Sequence, residues 1–495
     1  MKLTSACYYI STVFMLNALS AHAKESLTYP IVDTNQTTCI GLNQPLSVCP
    51  SSGDRTFGQD AQYQGLTPSY TDNNNLTITD DITQLMWSKT TDINGDGKIN
   101  AKDKLTYEQA LDYAGTSTLA GHNDWRIPTI KELYSLIQFD GQDPSGPISK
   151  GELELIPFIN QHYFDFNAGD TEAGERLIDS QYLSSTRYVS STMHGDDTVF
   201  GVNFIDGRIK GYGISMPNGK TKSFYVITVR GNSDYGKNEL VNNNNSTVSD
   251  KATGLIWQQR DSGAGMDFPT ALAYCEQLNL AGQTDWRLPN VKELHSIVDY
   301  SKSPKTSHSA TIDSLFSSTR INNEAGESDY ASYWSSTTHN NLQSGRNAAY
   351  VSFGQSLGNM RGQWIDVHGA GSQRSDPKVG DSSQYPTGHG PQGDAIRIDN
   401  LVRCVSGGVS NFVQQPISNL RKPMTLSITT TQSSMQPQPN QNQPKLQNDP
   451  FSNMDRNGDG KLSKQEAKGP LAKDFKRIDR DGDGYITRQE LPKRG

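Results

Sequence analysis

Residues 281–294 read AGQTDWRLPNVKEL, and residues 120–133 read AGHNDWRIPTIKEL. In each, Trp-Arg-aliphatic-Pro reads as a strand segment that proline stops, because proline brings no N–H to a ladder. A capping box follows at Thr129-x-x-Glu132, with a close variant at Asn290-x-x-Glu293, so a helix starts at each. The similarity extends outward in both directions. Upstream lie ITQLMW (82–87) and ATGLIW (252–257), read as short strands, then YEQALDYA (107–114) and FPTALAYC (268–275). The latter two open amphipathic helices, and the second is expected to run through Leu278. Downstream, YLSST (182–186) answers YWSST (333–337), and the strand-like YVITVRG (225–231) answers NLVRCVSGG (400–408). Self-similarity of this extent means an internal duplication. Helices mixed with short strands and long loops predict an α+β fold rather than a parallel α/β sheet.

The 495 residues suggest about two to four units, at roughly 100–200 residues each. A net charge of −8 argues against a general nucleic-acid binder, which would be basic. No stretch after the amino terminus reaches ~18 consecutive apolar residues, so no membrane span is expected. Residues 1–23 have a basic start at Lys2, an apolar middle and an Ala21-His22-Ala23 end, the marks of a cleavable secretory signal. Cleavage would remove Cys7 and leave Cys39, Cys49, Cys275 and Cys404, an even set suited to disulfides in an oxidising compartment. Cys39 and Cys49 flank a short turn, and a local bridge is the simplest pairing. Cys275 aligns with Ala114 and Cys404 with Thr228, so the first repeat lacks both together. Joint absence is what a bonded pair predicts; a thiol nucleophile is the alternative. Trp87, Trp125, Trp257 and Trp286 recur at repeat positions and are read as core.

Two windows at the carboxyl terminus fit the twelve-residue EF-hand loop. The first offers Asp455, Asn457, Asp459, Lys461, Ser463 and Glu466; the second offers Asp479, Asp481, Asp483, Tyr485, Thr487 and Glu490. Calcium takes six to eight oxygens, and this spacing wraps side-chain oxygens, one backbone carbonyl and a bidentate glutamate round one point. Position seven ligates through its carbonyl, so Lys461 and Tyr485 are acceptable there. Leu462 and Ile486 hold position eight, where paired loops meet as a short strand contact, and a central helix is expected over 471–478. The second loop, with more carboxylates, is expected to bind tighter. A third window, Asp92, Asn94, Asp96, Lys98 and Asp103, ends in aspartate and follows a strand, as dockerin-type calcium loops do. It sits where the first repeat is nine residues longer than the second between its tryptophans. Calcium there would lock the loop onto the core. Ten acids fall within the three windows, so the negative charge is largely metal-binding chemistry.

The order ATGLIW, ALAYC, AGQTDWRLPNVKEL, YWSSTT and VRCV resembles the Lcl C-terminal domain family of bacterial secreted proteins, named from a collagen-like adhesin. The segments YPIVDTNQTTC (29–39) and FGQDAQY (57–63) resemble the leader that precedes such domains. The resemblance implies tandem C-type-lectin-like α+β domains and a role in adhesion or glycan binding, at the cell surface or matrix or in the periplasm. The glutamate-proline-asparagine signature of calcium-dependent sugar binding is absent. The resulting division is a signal at 1–23, a leader at 24–75, repeats at 76–232 and 246–409, a disordered linker at 410–449 and a small all-α EF-hand pair at 450–495. Residues 370–393, rich in Gly, Ser and Pro, are read as a surface loop. No HExxH, GxSxG or Walker loop occurs, so no enzyme is expected. The catalytic alternative is a secreted hydrolase or a formylglycine-generating-like enzyme on a related fold.

Overall fold

In the computed structural model the described residues are 27–146, 148, 151–215, 219, 221–415, 421–428, 454, 461–480, 484–487 and 490–491. The signal region, the remainder of the 410–449 segment, and Asp455, Asn457, Asp459, Asp481 and Asp483 lie outside them.

The duplicated motif builds the same local structure twice. Thr129 and Asn290 cap helices α2 (Ile130–Ser135) and α4 (Val291–Ser296), each with the reciprocal glutamate contact of a capping box. The preceding helices are α1 (Tyr107–Thr116) and α3 (Phe268–Glu276); α3 ends two residues short of the expected Leu278. Leu85–Ser88 and Leu255–Gln258 are strands, paired with Val229–Gly231 and Val405–Ser406. The DWR segments form only single bridges, Arg126 to Val229 and Arg287 to Val405, so they are not full strands. The indole N–H groups of Trp125 and Trp286 donate to the carbonyls of Leu119 and Leu280. Ser184 and Ser335 donate to the carbonyls of Phe200 and Ala349 across matching bulges. The repeat also starts earlier than its obvious motifs: Asn73 and Asn243 donate to the hydroxyls of Thr77 and Thr247. All four recurrent tryptophans are buried, as a core role requires.

The two repeats share one sheet and one core. Six antiparallel strands run in the spatial order Ser332–His339, Asn347–Ser352, Gln373–Pro377, Arg208–Gly213, Asp196–Asn203, Gln181–Thr192. The join is at Gln373, paired with Ile209 of the first repeat. One apolar cluster takes Trp87, Phe139 and Tyr182 from the first repeat with Trp257, Leu294 and Tyr333 from the second. The 370–393 segment is therefore not wholly a surface loop. Residues 370–378 are largely buried and supply the strand that joins the halves; only 379–393 resemble the expected loop. Polar residues can fill that strand because their charges are met: Arg374 contacts Asp394, and Asp376 accepts from the Arg397 and Ile398 N–H groups and the Asn400 amide. Elements that mix helix and antiparallel strand in this way agree with the α+β class, with strand predominating.

The leader is wedged against both repeats. The Gln36 amide group donates to the Phe139 and Thr338 carbonyls, at 3.2 and 2.8 Å. Lys292, at 4% exposure, donates to the carbonyls of Asp33 and Ser135. Asp60 accepts from the hydroxyls of Thr34 and Thr337. Burial, with the Asp33 charge nearby, pushes the Asp60 carboxyl up to about 8. The folded chain thus keeps a proton there that the unfolded chain releases above a pKa of about 3.9. Stability supplied by this group is greatest below that value and falls as pH rises to about 8. Asp60→Asn should flatten the fall in melting temperature across this window, with a steeper fall in the variant counting against the assignment.

The linker after residue 409 is also structured at its start, contrary to the disordered reading of 410–449. Asn411–Phe412 pairs with Tyr63–Gln64, and Met424–Ile428 pairs with Gly151–Leu155. Arg421 makes a bidentate contact with Asp140 at 2.7 and 2.6 Å. Both disulfides are present, Cys39–Cys49 and Cys275–Cys404, with Cα separations of 5.3 and 5.5 Å. Every cysteine among the described residues is thereby bonded, so neither Cys275 nor Cys404 is a thiol nucleophile. No helix among them is long and apolar enough to cross a membrane.

Candidate calcium loops and the cleft between repeats

Carboxylates at the ends of the calcium-type windows gather backbone N–H groups in one recurring frame. In the second EF-hand window, Gly484 N–H donates to Asp479 (3.1 Å), Arg480 N–H to Glu490 (2.8 Å) and Thr487 N–H to Glu490 (2.7 Å). These bonds tie position six to one, two to twelve, and nine to twelve. In the first window, the described residues show the nine-to-twelve bond, Ser463 N–H to Glu466 at 3.0 Å. Lys461–Ser463 and Tyr485–Thr487 pair antiparallel with Leu462 opposite Ile486, which is the expected loop-to-loop contact. Leu462, Phe475, Ile478 and Ile486 form the small core beneath. The central helix is two short helices, Pro470–Lys473 and Phe475–Ile478, broken at Asp474, and a strand pair accompanies them, so the unit is not all-α.

The window at 92–103 reproduces all three bonds. Gly97 N–H donates to Asp92 (2.8 Å), Ile93 N–H to Asp103 (3.1 Å) and Asn100 N–H to Asp103 (2.9 Å). Asn94 and Asp96 accept from Asp96 and Lys98 N–H groups, which curls the exposed side of the loop. Asp103 is fully buried at the base, whereas Asn94 to Lys98 are exposed. Neighbouring segments hold the loop to the first repeat: Asn167 donates to the Ile99 carbonyl, and Ala101 N–H donates to Asp170. Among the described residues, no three His, Cys, Asp or Glu side chains converge as a metal cluster. The frame fits a calcium loop, which also draws on an asparagine oxygen and a backbone carbonyl.

A cleft of about 720 Å³ opens between the repeats. Its floor is the amino-terminal end of α2 with the Ser185–Thr186 bulge; its walls are the 233–240 connection and residues 297–300 of the second repeat. Arg126 pairs with Glu132 through two bonds at its edge, with 36% of the Arg126 side chain exposed. Lys131 is half-buried and donates to Gly236, Asn238 and Ser296; desolvation lowers its pKa to about 8. The sequence reading did not assign this cleft. Its one signal was a lysine recurring at the same place in each repeat, Lys131 and Lys292.

The Lcl C-terminal domain family matches residues 76–230 and 246–367, more than half of the chain. The chain belongs to this family. The closing strand of the second Lcl repeat, Val405–Ser406, lies beyond the matched stretch yet holds the register that Val229–Gly231 holds in the first. EF-hand matches cover residues 449–466 and 472–493, after the Lcl repeats. No curated protein and no solved structure matches the chain.

Proposed function

We propose that this chain is an exported, calcium-binding surface protein whose paired Lcl repeats recognise a glycan or a partner at a cell surface or matrix, without catalysing a reaction. The observation that carries the calcium part is the EF-hand match joined to a shared carboxylate frame. Asp455, Asn457, Asp459, Lys461, Ser463 and Glu466 would hold one ion, and Asp479, Asp481, Asp483, Tyr485, Thr487 and Glu490 a second. Asp92, Asn94, Asp96, Lys98 and Asp103 would hold a third, since that loop carries the same three bonds. Export is supported by the amino-terminal pattern and by two disulfides, which persist in oxidising compartments. Adhesion and a lectin-like fold are supported by family membership.

Calorimetric titration is expected to resolve three calcium sites. Glu490→Gln should lose more affinity than Glu466→Gln, because the second loop has four carboxylates against three. Asp103→Asn should remove the third site and leave the EF-hand pair intact. Two sites in the unaltered chain would contradict the third assignment. A glycan array run with calcium and with chelator tests recognition. Binding to defined glycans supports the adhesin reading, whereas silence under both conditions leaves a calcium-responsive interaction module without a glycan ligand.

A further inference from the structure

The cleft beside α2 has a counterpart beside α4, and the leader fills that counterpart. Lys131 and Lys292 occupy equivalent positions and exchange contacts across the molecule, Lys131 to the Ser296 carbonyl and Lys292 to the Ser135 carbonyl. Ser296 and Ser135 are themselves equivalent, so the two helices face each other about a local twofold. In the second repeat, Lys292 also donates to the leader's Asp33 carbonyl at 3.0 Å. Thr337, which accepts from Val291 N–H, donates to the leader's Asp60 at 2.5 Å. Phe139 N–H completes the grip by donating to the Thr34 carbonyl at 2.7 Å.

The first repeat has two of these fittings without an occupant; the third is taken, since Lys131 donates to the Gly236 carbonyl and to Asn238 where Lys292 donates to the leader's Asp33 carbonyl. Thr186 accepts from Ile130 N–H as Thr337 does from Val291 N–H, and it lines the cleft. Tyr300 is the counterpart of Phe139; its N–H has no acceptor among the described residues, and it too lines the cleft. The ion pairs record the difference in cover. The Arg287 side chain is 4% exposed beneath the leader, against 36% for Arg126. The connection at 233–238 corresponds to residues 63–68, and among the described residues nothing corresponds to residues 30–60 on this side.

We propose that the cleft receives an extended polypeptide segment of the leader's kind, with a backbone carbonyl on Tyr300 N–H and a carboxylate or carboxamide on the Thr186 hydroxyl. Main-chain bonds to fixed donors are how extended peptides are commonly recognised. The leader's own residues 33–60 remain seated beside α4, because their covalent attachment gives them a high effective concentration there. This deepens the partner-binding half of the proposed function and is independent of the calcium loops.

The test is a titration of the full chain with a fluorescent peptide of residues 29–38, YPIVDTNQTT, in calcium and in chelator. A photoreactive version of the same peptide maps its contacts. The expected result is saturable one-to-one binding with crosslinks at 185–186 and 297–300. Ser233→Trp, which fills the mouth of the cleft from an exposed position, should weaken binding by roughly tenfold or more, equivalent to about 1.4 kcal/mol. Ser382→Trp, on the exposed 379–393 loop, should not. Absence of saturable binding, crosslinks elsewhere, or a glycan that occupies the cleft in place of the peptide would overturn the proposal. Any of these leaves the calcium titration and the array result standing on their own.

Discussion

Glu293→Gln is expected to destabilise the chain by about 3–5 kcal/mol, because it strands a buried guanidinium without its counter-charge. Arg287 and Glu293 are 4% and 5% exposed and meet through two bonds of 2.6 Å. Of the other guanidinium donors, one on Nη2 goes to the Gly407 carbonyl and the Nε–H is buried without a partner among the described residues, so the carboxylate is the group that offsets this buried charge. Glutamine keeps the size and can still accept from Asn290 N–H, so the capping role is largely retained and the lost charge dominates. Glu132→Gln makes the same change in the first repeat, where the Arg126 side chain reaches solvent. Its cost should be roughly 1–2 kcal/mol, the range of a hydrogen bond to a charged group that water can partly replace. Urea unfolding followed by tryptophan fluorescence reads both, since Trp125 and Trp286 adjoin Arg126 and Arg287, the partners of the altered glutamates, in sequence. Equal losses from the two variants would mean that cover by the leader does not set the energetics.

This pair shows what the sequence could disclose. DWR and the capping glutamate recur at fixed spacing, and one ion pair with one capping box is what that spacing makes in both repeats. The YxSST runs were legible as a repeat but not as the bulge that accepts the leader, since that contact spans residues 60 and 337. The strand 373–377 was missed for a clearer reason. Its sequence QRSDP is polar and ends in proline, and it is buried because Ile209 and Asp394 come to it from elsewhere. Hydropathy reads apolar burial and cannot see a charge satisfied at a distance. The same applies to Arg421, which docks a linker of disordered composition onto Asp140. In the calcium-type loops the opposite holds. Their ligands are local in sequence, so the pattern alone located the frame that the 92–103 window adopts.

The Cys275–Cys404 bond lends itself to a test that the duplication itself supplies. The first repeat carries Ala114 and Thr228 at the matching places, and it folds with them: Ala114 is buried in the α1 core and the Thr228 carbonyl accepts from Ser88 N–H. In the second repeat, Gln258 N–H donates to the Cys404 carbonyl in the same register. The double variant Cys275→Ala with Cys404→Thr therefore installs side chains already compatible with this framework. The lost crosslink closes 129 residues, and in the chain-entropy account a loop of that order restrains the unfolded ensemble by about 4–5 kcal/mol. Removing two sulfurs from a cluster that includes Phe268, Trp286 and Trp334 adds a packing cost. A loss of about 4–6 kcal/mol is expected, with the folded structure retained. The single variants should lose at least as much, because each also leaves a free thiol in a fully buried site. Denaturation midpoints of the double variant, compared with the parent chain under reducing and oxidising conditions, separate the terms. Reduction should bring the parent towards the double variant, and the remaining gap measures packing alone. A double variant as stable as the oxidised parent would show that α3 and the closing strand are held by their apolar contacts, as α1 is in the first repeat, with the disulfide adding nothing to equilibrium stability.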